Sequence, residues 1–114
     1  MNKHILFILT PGFQDGDDGP FFCPHSAAME GLLKYVPELN TKLDVRRVEF
    51  QRPRKEIIEF LGEENQFTPV LILAEGTTPP AEAQVSDETG RAFILGEIEI
   101  SQFLHKDMGI MKPH

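Results

Sequence analysis

The sequence lacks several features that secreted and membrane proteins depend on. Cys23 is the only cysteine among 114 residues, so an internal disulfide cannot form and a disulfide-stapled secreted scaffold is excluded. No apolar run reaches the ~18–20 residues that cross a membrane. The short apolar run at residues 5–9 leads into Pro11-Gly12 without a small-residue cleavage site. We therefore expect a cytoplasmic protein without a secretory signal or a membrane partner.

Basic residues are also scarce. Eleven lysines and arginines face 18 aspartates and glutamates, which gives a formal net charge of −7. Because no basic stripe is available to neutralise phosphates, we expect no nucleic-acid partner. The acidic residues at positions 15–19 lack the twelve-residue loop and closing glutamate of a calcium site, and the four histidines lack zinc-ligand spacing. We interpret 15–19 as an exposed turn and expect no metal and no cofactor.

The hydrophobic pattern predicts one domain, residues 1–114, in which strands and helices alternate. Continuous apolar runs predict buried strands, and apolar residues at helical spacing predict helices. Strands are predicted at 5–9, 43–50, 70–74 and 92–95, and helices at 24–36, 53–62 and 97–108. The order β-α-β-α-β-β-α predicts an α/β fold with a four-stranded mixed sheet. The polar stretch 75–89 is long enough to be a mobile or functional loop.

Cys23 lies where the first helix is predicted to begin. Pro24 suits the first helical position, which makes Cys23 the predicted N-cap residue. The unpaired N–H groups and the positive dipole end there stabilise a thiolate, whereas the bland alternative is a small buried hydrophobic residue. His25 either adds to this stabilisation or is simply solvated. Ser26, three residues along, faces the same side as Cys23 and is positioned to hydrogen-bond the sulfur.

The element order and Cys23-Pro24-His25-Ser26 resemble the thioredoxin-like fold and its active site. The motif is similar to the Cys-Pro-His-Cys or Cys-Pro-Tyr-Cys of disulfide oxidoreductases and glutaredoxins, with serine replacing the second cysteine. The chain up to about residue 73 also resembles a family of short bacterial thioredoxin-like proteins labelled as a domain of unknown function. That second likeness is carried by Pro11-Gly12-Phe13, Glu30-Gly31-Leu32-Leu33, Arg52-Pro53-Arg54, Gly62-Glu63-Glu64-Asn65-Gln66 and Pro69. The implied architecture is three layers, α/β/α.

The thioredoxin resemblance implies a substrate groove beside Cys23. Pro69 would be cis, with Thr68 offering backbone groups to an extended peptide or to glutathione; the alternative is a trans proline at a strand start. For the two carboxylates of glutathione, the candidates by fold position are the helix start at Gly96-Glu97 and the guanidinium of Arg52 or Arg54. The side chain of Glu97 would repel a carboxylate at that helix start.

Without a second cysteine, only a monothiol route is open. The first functional hypothesis is therefore a monothiol, glutaredoxin-like oxidoreductase acting on glutathione mixed disulfides, with Cys23 as nucleophile. Its partners would be glutathione or a protein thiol, and the chain would be a monomer or a weak homodimer. The alternatives are a non-catalytic module that binds a peptide or protein, and a redox sensor in which Cys23 is modified without turnover.

Overall fold

A computed structural model describes residues 2–114 as four helices and seven strands. The helices are α1 (Pro24–Tyr35), α2 (Leu39–Lys42), α3 (Lys55–Leu61) and α4 (Glu97–Met108). The strands are β1 (Ile5–Leu9), β2 (Phe13–Asp15), β3 (Asp18–Phe21), β4 (Asp44–Val48), β5 (Val70–Ile72), β6 (Gln84–Val85) and β7 (Ala92–Leu95).

Five strands form one mixed sheet in the order β4-β1-β5-β7-β6. The β1–β4 pair is parallel, with Ile5 opposite Asp44 and Leu9 opposite Val48, and the other pairs are antiparallel. A right-handed crossover through a helix is the usual way to join parallel neighbours, and α1 lies between β1 and β4 in the chain. The carboxyl ends of β1 and β4 therefore lie at the same edge of the sheet, where α1 begins.

Alternating residues of β1 are buried on opposite faces of the sheet. Leu6 and Ile8 pack with the apolar residues of α1 and α4, whereas Ile5, Phe7 and Leu9 pack with those of α3. All five positions of β1 are buried, which explains why its sequence is apolar throughout and not alternating. Helices thus cover both faces of the sheet, and β1 lies at the centre of the core.

The prediction of four strands is wrong in number. The main sheet has a fifth strand, β6, whose two exposed residues lie inside the stretch predicted as a polar loop. The segment 15–19, interpreted as an exposed turn, belongs to the β2–β3 hairpin, whose turn is at Gly16-Asp17. Both elements were missed because short strands rich in Gly, Asp and Gln carry little intrinsic β preference and bury little apolar surface.

Three further elements differ in their bounds from the sequence prediction. The strand predicted at 70–74 ends earlier, because β5 ends at Ile72. Pro53 does not begin the second predicted helix: the corresponding helix, α3, begins at Lys55 with Arg54 as N-cap. The strand predicted at 43–50 is shorter, and α2 lies ahead of it where no helix was predicted. A four-residue helix is too short to show helical periodicity in a sequence, so only the structure reveals it.

The stretch 75–89 is anchored to the end of α3. The buried Ser86 hydroxyl donates to the Leu61 carbonyl at 2.8 Å and accepts from the N–H groups of Glu88 and Thr89 at 3.2 Å. The Thr89 hydroxyl donates to the Phe60 carbonyl at 2.6 Å. Carbonyls at the end of a helix lack partners within the helix, so Ser86 and Thr89 cap the C-terminal end of α3. Over residues 2–114, none of the helices has the length and apolarity to cross a membrane.

Candidate functional site

Cys23 is the N-cap of α1, as the sequence predicts. Its backbone is extended, Pro24 follows within the first turn, and its sulfur accepts the Ser26 backbone N–H at 3.4 Å. The Cys23 carbonyl accepts the Ala27 N–H at 2.9 Å. The thiol is partly exposed, and it is a free cysteine. The sulfur is therefore reachable and receives a hydrogen bond that strengthens when it is ionised.

The Ser26 hydroxyl has a different partner from the one expected. Ser26 is 2% exposed, and its Oγ accepts the backbone N–H of Leu9 at 3.0 Å. This bond connects the first turn of α1 to the end of β1. The backbone N–H of Ser26 donates to the Cys23 sulfur, whereas its side-chain hydroxyl fixes the start of the helix.

His25 contacts the start of α4. Its Nδ1 lies 2.8 Å from Oε2 of Glu97, and this hydrogen bond holds the pKa of the Glu97 carboxyl below its usual range. The imidazole side chain is 64% exposed. The starts of α1 and α4, which the sequence analysis considered as two separate sites, are therefore linked by the His25–Glu97 pair. The carboxylate of Glu97, expected to repel an anion, is occupied by His25.

Arg54 is a buried cation beside the thiol. Its side chain is held by the carbonyls of Phe50, at 3.1 and 2.7 Å, and of Gln66, at 2.7 Å, and Arg54 as a whole is 8% exposed. Among residues 2–114, no carboxylate forms a salt bridge with it. Burial lowers the pKa of Arg54, as does the nearby charge of Arg52, whereas the Cys23 side chain raises it. A buried guanidinium without an anionic partner favours negative charge in its surroundings.

An open cleft of about 370 Å³ joins Cys23 and Arg54. It lies at the carboxyl end of β1, between the β2–β3 hairpin, the start of α1 and the segments before α3 and β5. Most of its lining is aromatic or aliphatic, with Asp15 and Thr68 as further polar residues. Its phenylalanines are Phe13, Phe21, Phe22, Phe50 and Phe67. Crevices outside the carboxyl ends of strands are the usual ligand sites of open α/β sheets.

The aromatic rings of the cleft are mutually packed and contact both arginines. Phe13 and Phe50 stack with ring centroids 4.3 Å apart and planes 9° from parallel. The guanidinium of Arg54 lies 5.7 Å from the centroid of Phe50, and that of Arg52 lies 5.4 Å from the centroid of Phe67. The positive charges are thus placed on ring faces, a favourable arrangement for a cation.

The structure gathers only part of the predicted site in this cleft. Cys23, Pro24, Arg54 and Thr68 line it. The remaining predicted residues lie outside the lining: His25, Ser26, Arg52, Pro69, Gly96 and Glu97. Pro69 follows Thr68 through a cis bond, as expected, and its carbonyl accepts the Gly96 N–H at 3.1 Å. Because that N–H is used within the protein, the backbone of Gly96 is not available to a carboxylate.

A comparison with known protein families adds one finding. Residues 3–112 match the family described as "Protein of unknown function (DUF3088)". The chain belongs to this family. No curated protein and no solved structure matched the sequence. For this member of the family, the described residues contain no group of three or more His, Cys, Asp and Glu side chains suited to hold a metal ion.

The phenylalanines of the cleft were missed at the sequence level. Four of them lie within two residues of a glycine, a cysteine or a proline, in Pro11-Gly12-Phe13, Phe21-Phe22-Cys23 and Phe67-Thr68-Pro69, and Phe50 was predicted as the end of the strand 43–50. Large apolar residues beside Gly, Pro or Cys and outside the predicted helices and strands are the signal that points to such a cleft.

Proposed function

We propose that this protein is a thioredoxin-like monothiol oxidoreductase in which Cys23 is the nucleophile and glutathione is the external thiol. The observation that carries the proposal is the joint placement of a partly exposed N-cap thiol and a buried, unpaired guanidinium on one cleft. The sheet order supports the fold assignment, because a parallel β1–β4 pair flanked by antiparallel β5 and β7 is the four-stranded core that the resemblance implies.

The reaction needs one thiol on the protein. The Cys23 thiolate attacks the glutathione sulfur of a mixed disulfide; a Cys23–glutathione disulfide forms, and the substrate leaves as a thiolate with the electron pair of the broken S–S bond. A second glutathione thiolate then attacks the glutathione sulfur bound to Cys23. Glutathione disulfide forms and the Cys23 thiolate is released. Overall the substrate is released as a reduced thiol, one free glutathione is consumed, and the glutathione of the mixed disulfide leaves as part of glutathione disulfide.

Three features of the chain support the attack of Cys23 on a disulfide. The Ser26 N–H at 3.4 Å and the dipole of the twelve-residue α1 stabilise the attacking thiolate. The positive charge of Arg54 acts in the same direction from a site screened little by solvent. The cleft leaves the sulfur accessible to a disulfide. The setting that we propose is the cytoplasm, where glutathione keeps thiols reduced.

The test is turnover with a glutathione mixed disulfide. The protein is incubated with the glutathione–mercaptoethanol disulfide, glutathione, glutathione reductase and NADPH, and NADPH oxidation is followed. We expect turnover that depends on Cys23, with a single glutathione adduct visible by intact mass when glutathione is withheld. Cys23→Ser should abolish both signals, and Ser101→Ala, which alters a serine on α4, should change neither.

The exposed aromatic residues favour one alternative. Phe22 is 62% exposed and Phe67 is 50% exposed, and exposed aromatic rings beside a cleft are typical of a binding surface for a protein or peptide. A non-catalytic module would give no turnover and no adduct. A redox sensor would form the adduct without turnover. The same assay thus separates all three functions.

A further inference from the structure

We propose that the cleft binds the carboxylate of a small, planar apolar group, so that the substrates are mixed disulfides in which glutathione's partner is an aromatic carboxylate thiol. This inference rests on the proposed function for its thiol chemistry. The geometry that supports it is the guanidinium of Arg54 set in a wall of phenylalanine rings, next to the Cys23 thiol.

Arg54 has no carboxylate partner among the described residues, so its positive charge is available to an anion from outside the protein. Arg54 as a whole residue is 8% exposed, and its hydrogen bonds go to carbonyls and not to carboxylates. Those bonds use Nε and one N–H on each terminal nitrogen, whereas a guanidinium offers five N–H donors. In the part of the chain that the structure describes, the second N–H on each terminal nitrogen has no hydrogen-bond partner. These two N–H donors remain for an acceptor from outside the protein, and a carboxylate oxygen accepts a strong, charge-assisted hydrogen bond from such a donor.

The surrounding charges agree with an anionic ligand. Arg52 lies close enough to lower the pKa of Arg54, so two positive charges meet on this side of a protein whose net charge is −7. Asp15 is the acidic residue of the lining; it is exposed in the β2–β3 hairpin, where solvent and salt screen its repulsion. The buried charge of Arg54 therefore dominates the inner part of the cleft.

The size and walls of the cleft indicate the rest of the ligand. Its volume of about 370 Å³ is at the lower end of the ~300–1,000 Å³ typical of small-molecule pockets. The exposed rings of Phe22 and Phe67 offer apolar surface to a ligand, and the Phe13–Phe50 stack adds an aromatic wall. Aromatic rings stack favourably on such faces in offset or edge-on arrangements. Glutathione itself is a polar, flexible tripeptide and would leave these faces uncovered.

The probe reaction uses an aromatic disulfide that carries a carboxylate on each ring, dithiobis(nitrobenzoate). The Cys23 thiolate attacks one of its sulfurs; a Cys23–aryl disulfide forms, the original S–S bond breaks, and the second aryl group leaves as a coloured thiolate. The neutral counterpart is dithiodipyridine. For each probe, the reaction rate of the folded chain is divided by the rate of the same chain unfolded in urea. This ratio corrects for the different intrinsic reactivities of the two probes.

We expect folding to favour the carboxylate probe over the neutral probe by about tenfold or more, the size of one charge-assisted hydrogen bond. Arg54→Met should remove this preference and Arg54→Lys should retain part of it, with circular dichroism confirming that each variant is folded. Equal folded-to-unfolded rate ratios for the two probes in the native chain would overturn the inference, and this comparison needs no substitution.

Binding without thiol chemistry separates this inference from the proposed function. In Cys23→Ser, amide chemical shifts are followed while benzoate or benzamide is added. We expect benzoate to bind at least about tenfold more tightly, with the largest shifts at cleft residues. Equal binding would overturn the inference even if glutathione turnover is observed. Selective benzoate binding without any glutathione turnover would contradict the proposed oxidoreductase and leave the ligand class standing.

Discussion

Replacing Ser26 by alanine tests how the first turn of α1 supports Cys23. The Ser26 hydroxyl accepts the Leu9 N–H at 3.0 Å in a buried position, so the substitution leaves a buried donor without a partner. Such a loss costs about 1–3 kcal/mol, and the better helix propensity of alanine offsets about 0.5 kcal/mol of it. We therefore expect the free energy of unfolding to fall by about 0.5–2.5 kcal/mol. For a domain of this size, that corresponds to a Tm lower by about 2–10 °C.

The same variant should leave the thiol chemistry unchanged. The Cys23 sulfur accepts the backbone N–H of residue 26, which alanine retains. The rate of Cys23 alkylation at pH 7 should therefore stay within about twofold of the native rate, a difference below ~0.4 kcal/mol. Ser101→Ala on α4 is the matched control, since the Ser101 hydroxyl has no hydrogen-bond partner among the described residues; its Tm should not fall. A tenfold loss of alkylation rate in folded Ser26→Ala would refute the reasoning.

Three further predictions concern the fold and the contact between helix starts. The lowered pKa of Glu97 implies that its contact with His25 stabilises the fold above the ordinary carboxyl value of 4.5 and is lost as pH falls through the lower folded value. The difference in denaturant midpoint between the native chain and Glu97→Gln should accordingly shrink below pH 4.5. An unchanged difference over that pH range would contradict the contact. Leu6→Ala, at a fully buried position of β1, should cost about 2–5 kcal/mol by denaturant unfolding, against less than about 0.5 kcal/mol for Val85→Ala on the exposed β6. Ser86→Ala should lower the Tm and increase amide exchange first at residues 86–91, because it removes the hydrogen bond to the Leu61 carbonyl. If residues 86–91 of the variant still exchange only through global unfolding, this hydrogen bond does not hold the segment in place.

The sequence predicts the central elements of this fold well. The apolar run of β1 and the N-cap of α1 follow from local patterns, as do the bounds of β7 and α4. Hydrophobic periodicity and helix-start residues act over a few positions, so they are visible in the chain itself. The β2–β3 hairpin and β6 cannot be predicted in this way, because their strand pairing depends on the rest of the fold and their residues have a weak preference for strands.

The site could be predicted only in part, for a related reason. Cys23 and Pro24 form one local motif, and Arg54 was among the candidates for a carboxylate. The cleft itself is assembled from Phe13, Phe50 and Phe67, which are far apart in the sequence and meet only in the folded protein. Similarly, only the structure shows that His25 and Glu97 form a pair and that Ser26 bonds Leu9.

The central claim is that folding activates Cys23, and its alkylation rate tests this most directly. Iodoacetamide is added at pH 7 to the native chain and to the chain unfolded in urea, and the single adduct is counted by intact mass. Because the backbone N–H of residue 26 and the buried guanidinium of Arg54 favour the thiolate, we predict that the folded protein reacts several times faster. A folded protein that reacts more slowly than the unfolded chain, or only after unfolding, would contradict the claim.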